Sequence, residues 1–273
     1  MYGKGRMNEK YGKKLILLAL AAVLCLGIVA FLAASPGTEE QPTIITVSAA
    51  STLTEAFTDI AREFETAHPG TKVELNLASS GTLRAQIESE APVDVFASAS
   101  QDHMDILSEK GMIEETSRKN FATNTLVMVV SEKNGSETPK TLEGLNAGSI
   151  EKIAMGNPET SPAGKYAKQA LVDAGLWEEV KDKIIFAETV KQVLTYVETG
   201  EVDAGFVFIT DAESGQKDLY EIACTVPVSE PISYPIAVVK ASENKEKSQE
   251  FVDFVTGTRG QEILAEYGFK APK

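Results

Sequence analysis

Hydrophobic positions along residues 44–270 repeat in alternating strand-like and helix-like periods. Short β-branched or apolar runs occur at residues 44–48, 72–77, 93–98, 125–130, 152–156, 184–188, 204–209 and 235–239. Apolar residues at helical spacing follow most of these runs, as Leu53, Phe57 and Ile60 follow the first. Strands that alternate with helices through short connections predict parallel sheets in an α/β protein.

Residues 1–42 form a separate segment. Residues 15–34 are apolar without a single charge, and five basic side chains precede them. This length suits a membrane-spanning helix and exceeds the usual core of a signal peptide, so the pattern predicts either an uncleaved anchor or a cleaved export signal. Residues 35–42 have no apolar periodicity and are expected to be a linker. Both alternatives place the remaining chain outside the cytoplasm, in the periplasm or on the outer face of the cell membrane.

The composition excludes several classes of function. The chain has 26 basic and 40 acidic residues, a net charge of −14, which disfavours nucleic-acid binding. Its two cysteines, Cys25 and Cys224, are too few for a four-cysteine zinc site. The histidines His68 and His103 offer little for metal or triad catalysis.

The candidate chemistry lies where strands turn into helices. A helix start leaves backbone N–H groups without partners and carries about half a positive charge, so it suits an anion. Ser51 and Ser80 stand where the first two helices are predicted to begin. Ser161 is expected to cap a third helix with Pro162 at its first position, which leaves the N–H of Ala163 free.

Two pairs of residues are spaced as capping boxes. These are Thr52 with Glu55, and Thr189 with Gln192, the second of which places Val190 in the first turn of a fourth helix. If all four helix starts met, their dipoles would sum to roughly two positive charges and match a divalent oxyanion without any Lys or Arg. Taken singly, each start is equally well explained as an ordinary helix cap.

Several motifs occur in an order that resembles a known family. ITVSAASTLTEAF, LASSGTLRAQIESEAPVDVFASA, MGNPETSPAGKYAKQAL, VDAGFVF and YPIAVV resemble the periplasmic molybdate-binding proteins of ABC importers. The resemblance implies a two-lobed periplasmic-binding-protein-like α/β fold of type II, in which each lobe is a doubly wound mixed sheet and two hinge crossings join the lobes. Residues 43–122 plus 230–273 are expected to form lobe 1, and residues 123–229 lobe 2.

The resemblance also implies which residues contact the ligand. The family's oxyanion contacts correspond to Ser51 and Ser80 in lobe 1, through hydroxyl and backbone N–H groups. In lobe 2 they correspond to the backbone N–H groups of Ala163 and Val190. These donors are neutral, which suits an oxyanion that is fully deprotonated near pH 7.

One position departs from the family pattern. The family's fifth contact is a tyrosine hydroxyl, and Phe208 stands at that position. Phenylalanine cannot donate a hydrogen bond, so we expect water or a neighbour such as Thr210 to replace it. Some relatives add carboxylates to the metal centre, a role open to Glu188 or Asp211, although we interpret both as solvated surface acids.

The implied function is that of a monomeric, non-enzymatic binding protein without a cofactor. It would capture molybdate or tungstate between its lobes and deliver the oxyanion to the transmembrane permease of an ABC transporter. Sulfate or another tetrahedral oxyanion stays an alternative ligand, because charge and shape are shared. A membrane-anchored hydrolase or a ligand sensor is the alternative of a different class, although the sequence contains no G-x-S-x-G elbow.

Overall fold

The predicted alternation of strands and helices is present over most of the described chain. The computed structural model describes residues 41–134 and 138–272, so the predicted export segment at residues 15–34 lies outside the described residues. Within these two ranges no helix is both long and apolar enough to cross a membrane. The strands are β1 (Thr43–Ala50), β2 (Thr71–Ala78), β3 (Val95–Ala97), β4 (Lys119–Asn124), β5 (Leu126–Ser131), β6 (Ile153–Gly156), β7 (Ile184–Ala187), β8 (Ala204–Phe208), β9 (Tyr220–Thr225) and β10 (Ile232–Val238). The helices are α1 (Thr54–Ala67), α2 (Ser80–Glu88), α3 (Gln101–Glu109), α4 (Pro162–Asp173), α5 (Trp177–Val180), α6 (Val190–Thr199), α7 (Ile209–Ser214), α8 (Lys245–Thr256) and α9 (Thr258–Glu266).

The strands form two five-stranded sheets. Their orders are β2-β1-β3-β10-β4 and β7-β6-β8-β5-β9. In the first sheet β1 is parallel to β2 and β3, whereas β10 is antiparallel to β3 and β4. In the second sheet β6 is parallel to β7 and β8, whereas β5 is antiparallel to β8 and β9. The mixed sheets implied by the resemblance are therefore present. The parallel pairs predicted from the alternation occur in both sheets, next to antiparallel pairs that the alternation does not predict.

The antiparallel strands are those next to the points where the chain changes sheet. It leaves the first sheet between Asn124 and Leu126 and returns to it between Thr225 and Ile232. A strand that enters from the other sheet is not connected by a β-α-β crossover, so it does not have to run parallel to its neighbours. We call each sheet with its packed helices a lobe, the first sheet defining lobe 1 and the second lobe 2. The residue limits predicted for the lobes stay predictions.

Two edge strands have no signal in the hydrophobic pattern. Residues 118–125, RKNFATNT, have neither a strand-like nor a helix-like apolar period, yet Lys119–Asn124 form β4 with only Phe121 and Ala122 buried. Strand β9 likewise buries only Tyr220 fully. Both strands lie at a sheet edge with one neighbour, and their few buried side chains form neither an alternation nor an apolar run.

Apolar helix faces cover both sheets. Helix α1 buries Ala56, Phe57, Ile60, Ala61 and Phe64 at helical spacing. The rings of Phe57 and Phe64 meet that of Phe251 in α8, with ring centroids 6.1 and 5.2 Å apart. In lobe 2 all six residues of β5 are buried, as predicted for a strand covered on both faces.

A close backbone contact fixes the start of α4 against the end of β6. Gly164 lies in the first turn of α4, and a Cβ atom there would fall well inside contact distance of the carbonyl oxygen of Gly156. It would also lie 3.1 Å from the carbonyl carbon of Asn157. The missing side chain therefore lets the first turn of α4, with Ala163, sit directly at the carboxyl end of β6.

We predict that Gly164→Ala lowers the free energy of unfolding by about 1–3 kcal/mol, because backbone atoms must shift to admit the methyl group. Urea denaturation followed by circular dichroism measures the change. Gly148→Ala is the matched control, since a Cβ atom there meets nothing within 4 Å. Equal midpoints for both variants would contradict the account of this contact.

Candidate functional site

A small cavity lies between the two lobes, where several strands of both sheets end. The cavity has a volume of only about 10 Å³, so its walls are almost in contact. The cavity is lined by Ala50, Ser51, Thr52, Ser79, Ser80, Ala99, Ser161, Pro162, Ala163, Val190 and Phe208. The structure thus brings all five predicted site residues, Ser51, Ser80, Ala163, Val190 and Phe208, to one place.

The lobe 1 wall presents two serine hydroxyl groups. Ser51 follows β1 and begins a short 3-10 turn at Ser51–Leu53, and Ser80 begins α2 after β2. The Ser80 Oγ accepts a hydrogen bond from the N–H of Ala99 at 3.0 Å, which leaves its own proton free to donate. Within residues 41–134 and 138–272, the Ser51 hydroxyl has no hydrogen-bond partner. Both hydroxyls can therefore donate into the cavity.

The lobe 2 wall presents two helix starts. Ser161 caps α4 and accepts from the N–H of Gly164 at 3.4 Å, whereas Thr189 caps α6 and accepts from the N–H of Gln192 at 3.2 Å. The N–H groups of Ala163 and Val190 lie in the first turns of α4 and α6, where the helix itself supplies no acceptor. Among the described residues neither has a backbone acceptor outside its helix. Both are buried beside the cavity and remain available as donors.

Phe208 lines the cavity and has no hydroxyl group to donate. It is 1% exposed, and its ring lies 5.9 Å from that of Tyr234. Thr210, the suggested replacement donor, does not line the cavity. Its hydroxyl accepts from the side-chain amide of Asn124 at 2.9 Å and lies 3.3 Å from the Thr52 hydroxyl. The structure gives no support to Thr210 as the missing donor.

The capping box predicted for Thr52 and Glu55 is absent. The 3-10 turn has Ala50 as its N-cap, without a side-chain cap. Thr52 instead donates from Oγ1 to the Asp211 Oδ2 of lobe 2 at 2.6 Å, and Glu55 pairs with Lys191 of lobe 2 at 2.8 Å. The sequence spacing is that of a local cap, but both side chains are used in contacts between the lobes.

Further contacts hold the two cavity walls together. The backbone N–H of Gly81 in lobe 1 donates to the carbonyl oxygen of Thr160 in lobe 2 at 2.8 Å. Lys165 of α4 forms an ion pair with Asp102 of α3, and both side chains are more than half exposed. The described conformation is therefore one in which the lobes are closed on each other.

Asp211 differs from the surface acid that the sequence suggested. Its exposed fraction is 0%, whereas Glu188 is exposed as expected. Burial raises the pKa of Asp211 to about 6, against the opposing effects of Lys191 and the hydrogen bond from Thr52. Neither carboxylate lines the cavity, so neither contacts a group placed there.

The chemistry of the cavity wall is that of neutral donors. Its lining contains hydroxyl groups, backbone N–H groups and apolar side chains, without Lys, Arg, Asp, Glu or His. In the part of the chain that the structure describes, no group of three or more His, Cys, Asp or Glu side chains could hold a metal ion. Such a wall can hydrogen-bond an anion that needs no acceptor, and it offers no base to activate a serine.

The amino-acid sequence of the chain also matches a known protein family. Residues 45–270 match the family of bacterial extracellular solute-binding proteins. The chain belongs to this family. Its members bind solutes outside the cell, and a two-lobed fold with a cavity between the lobes suits such a solute-binding protein.

Individual relatives are similar over most of their length. The putative ABC transporter substrate-binding lipoprotein YvgL of Bacillus subtilis is 36% identical over 97% of this chain and 100% of its own. The molybdate-binding protein ModA of Escherichia coli is 37% identical over 82% of this chain and 88% of its own. The solved substrate binding domain of a putative molybdenum ABC transporter from Clostridium difficile is 34% identical, with a TM-score of 0.64 over 85% of this chain and 100% of its own. The predicted fold class is confirmed.

The contacts between the lobes have little signal in the sequence. Thr52, Asn124 and Thr210 are small polar residues whose partners in the opposite lobe lie at least 86 positions away along the chain. The acidic residue Asp211 sits in a polar sequence, ITDAES, that is typical of a surface helix. Such a buried polar cluster cannot be recognised from the neighbouring sequence, because residues of the opposite lobe cover it.

Proposed function

We propose that this solute-binding protein captures molybdate or tungstate between its lobes and delivers it to the transmembrane permease of an ABC importer. The observation that carries the proposal is the convergence of Ser51, Ser80, Ala163 and Val190 on one cavity with contributions from both lobes. The names of the relatives support it, since one is a molybdate-binding protein and another belongs to a putative molybdenum transporter.

The proposed binding relies on dipoles and hydrogen bonds. Each helix start contributes about half a positive charge and one or more free N–H groups, and the two serine hydroxyls add neutral donors. In a site that excludes water, hydrogen bonds to an anion contribute about 1.5–3 kcal/mol each. A doubly negative oxyanion can thus be held although the chain as a whole carries −14.

Lobe closure would couple binding to delivery. Donors from only one lobe contact the anion while the lobes are apart, and donors from both contact it once they close. The anion therefore binds the closed state more tightly, and this difference in affinity shifts the equilibrium towards closure. The closed surface is what a permease would recognise.

The wall chemistry also bears on the choice of anion. Phosphate is partly protonated near neutral pH, and its O–H needs an acceptor such as a carboxylate. No Asp or Glu lines the cavity, which disfavours phosphate. Sulfate has the same charge and shape as molybdate, and only the size of the closed cavity separates them.

We further propose that residues 15–34 export the protein and either remain as a membrane anchor or are removed by cleavage. YvgL is named a lipoprotein, but Cys25 here follows Leu24, where lipoprotein signals generally need a small residue. The protein is proposed to act as a monomer and without a cofactor.

We predict that molybdate and tungstate raise the melting temperature, whereas sulfate and phosphate do not. A ligand at one hundred times its dissociation constant stabilises the native state by about 2.7 kcal/mol. For a chain of this size that corresponds to roughly 5–10 °C. Differential scanning fluorimetry with each anion measures the shift. Equal shifts with sulfate would reassign the protein as a general tetrahedral oxyanion binder.

A backbone substitution tests the helix starts directly. Val190→Pro removes one N–H donor but keeps α6, because proline is tolerated at the first helical position and Thr189 before it is extended, at φ −134° and ψ 157°. We predict a loss of molybdate affinity of roughly 10- to 150-fold, the equivalent of one hydrogen bond to an anion. Isothermal titration calorimetry measures it.

Val190→Ala is the matched control for this variant. It shortens the same side chain but retains the N–H, so its affinity should stay close to that of the natural chain. A Val190→Pro protein that keeps its fold and binds molybdate equally well would exclude the Val190 N–H from the site.

A further inference from the structure

Asp211 is a buried carboxylate that the proposed binding of the anion does not use. It lies in α7, directly after β8, and its exposed fraction is 0%. Its Oδ2 accepts from Thr52 at 2.6 Å, but its Oδ1 has no hydrogen-bond partner. Lys191 forms an ion pair with this carboxylate, but its Nζ lies 3.6 Å from Oδ1, beyond hydrogen-bond distance. One oxygen of the carboxylate is therefore buried beside a cation without a hydrogen bond.

Part of this burial depends on lobe closure. Thr52 and Glu55 approach Asp211 and Lys191 from lobe 1, and Tyr234 of β10 interacts with the carboxylate from the same lobe. When the lobes part, the hydrogen bond from Thr52 is lost and water can reach the carboxylate.

The charges around Asp211 do not balance. Lys191 on α6 is shared between Asp211 and Glu55, which lies 2.8 Å from its Nζ. The other titratable groups that interact with Asp211 are Tyr234 on β10 and Tyr220 on β9, and burial raises the pKa of both. Both tyrosines are therefore neutral near pH 6. One cation faces two carboxylates, and Thr52, the donor to one of them, itself lines the cavity proposed for a dianion.

We propose that closure of the lobes on the oxyanion is accompanied by uptake of a proton at Asp211, so that anion capture is linked to protonation of this interlobe carboxylate. The proposal rests on the proposed function. Protonation removes one buried negative charge beside the anion site and leaves the acid able to keep its hydrogen bond with Thr52.

The direction of the pH dependence follows from the burial. Burial raises the pKa of Asp211 from 3.8 to about 6 in the closed lobes, whereas a hydrated aspartate has a pKa of about 3.9. Between these values the closed state binds more protons than the open state, so affinity increases as the pH falls from 7 to 5. The expected increase is about tenfold.

Calorimetric titration with molybdate in two buffers of different ionisation enthalpy measures the proton count. For the natural chain we expect an uptake of about half a proton per anion at pH 6 and close to none at pH 7.5. Asp211→Asn can still accept from Thr52 but cannot titrate, and it should show no such uptake. Protonation of molybdate itself is common to all variants and cancels in the comparison. An equal proton count in both proteins would overturn the proposal.

Two further variants test the proposal even if the Asp211→Asn protein does not fold. Glu55→Gln removes a negative charge that raises the pKa of Asp211, so uptake at pH 6 should fall; an unchanged count would contradict the proposal. Asp94→Asn is the matched control, because Asp94 is buried by Thr46, Ser242 and Asn244 of lobe 1 alone and should keep the natural count. A loss of uptake in this control would also overturn the assignment to Asp211.

The same titrations separate this proposal from the proposed function. Binding of molybdate without proton uptake would overturn only the linkage to Asp211. Absence of binding at both pH values would overturn the proposed function and the linkage with it.

Discussion

Unpaired donors at helix starts are the constraint on which the site depends. The first N–H groups of a helix have no partner within it, and burying them without an acceptor is costly. Here the starts of α4 and α6 are buried together with Ser51 and Ser80 at a cavity that contains no charged side chain. In the proposed function, a bound anion would accept hydrogen bonds from these donors. The groups that would destabilise an empty closed state would then favour closure of the lobes on the ligand.

The surface and the cavity wall differ in charge. The acidic residues lie mostly on the surface, where water screens them, and the cavity wall is kept neutral. Asp211 is the exception, since it is buried at the seam between the lobes with Thr52 as its donor. Its position makes the closed state sensitive to charge although the wall itself does not titrate.

The sequence predicted the parts of the fold that have local periodicity. The buried strands, such as β5, and the amphipathic helices, such as α1, follow from apolar spacing. Strands β4 and β9 do not, because each buries too few side chains to produce an apolar pattern. The turn residues Ser51, Ser80, Ala163 and Val190 were identified from helix-start chemistry and from the resemblance, while their meeting at one cavity needed the fold. Thr52 and Asp211 were misinterpreted, since their partners lie in opposite lobes and no local pattern records them.

The central claim is that neutral donors from both lobes hold a tetraoxo dianion in the cavity. A crystal structure grown with tungstate tests it most directly, because anomalous scattering locates the tungsten independently of the protein. The account predicts one anomalous peak between the lobes, with oxygens in hydrogen-bond distance of the hydroxyls of Ser51 and Ser80 and the N–H groups of Ala163 and Val190. A peak held by lysine or arginine side chains elsewhere on the surface would contradict it.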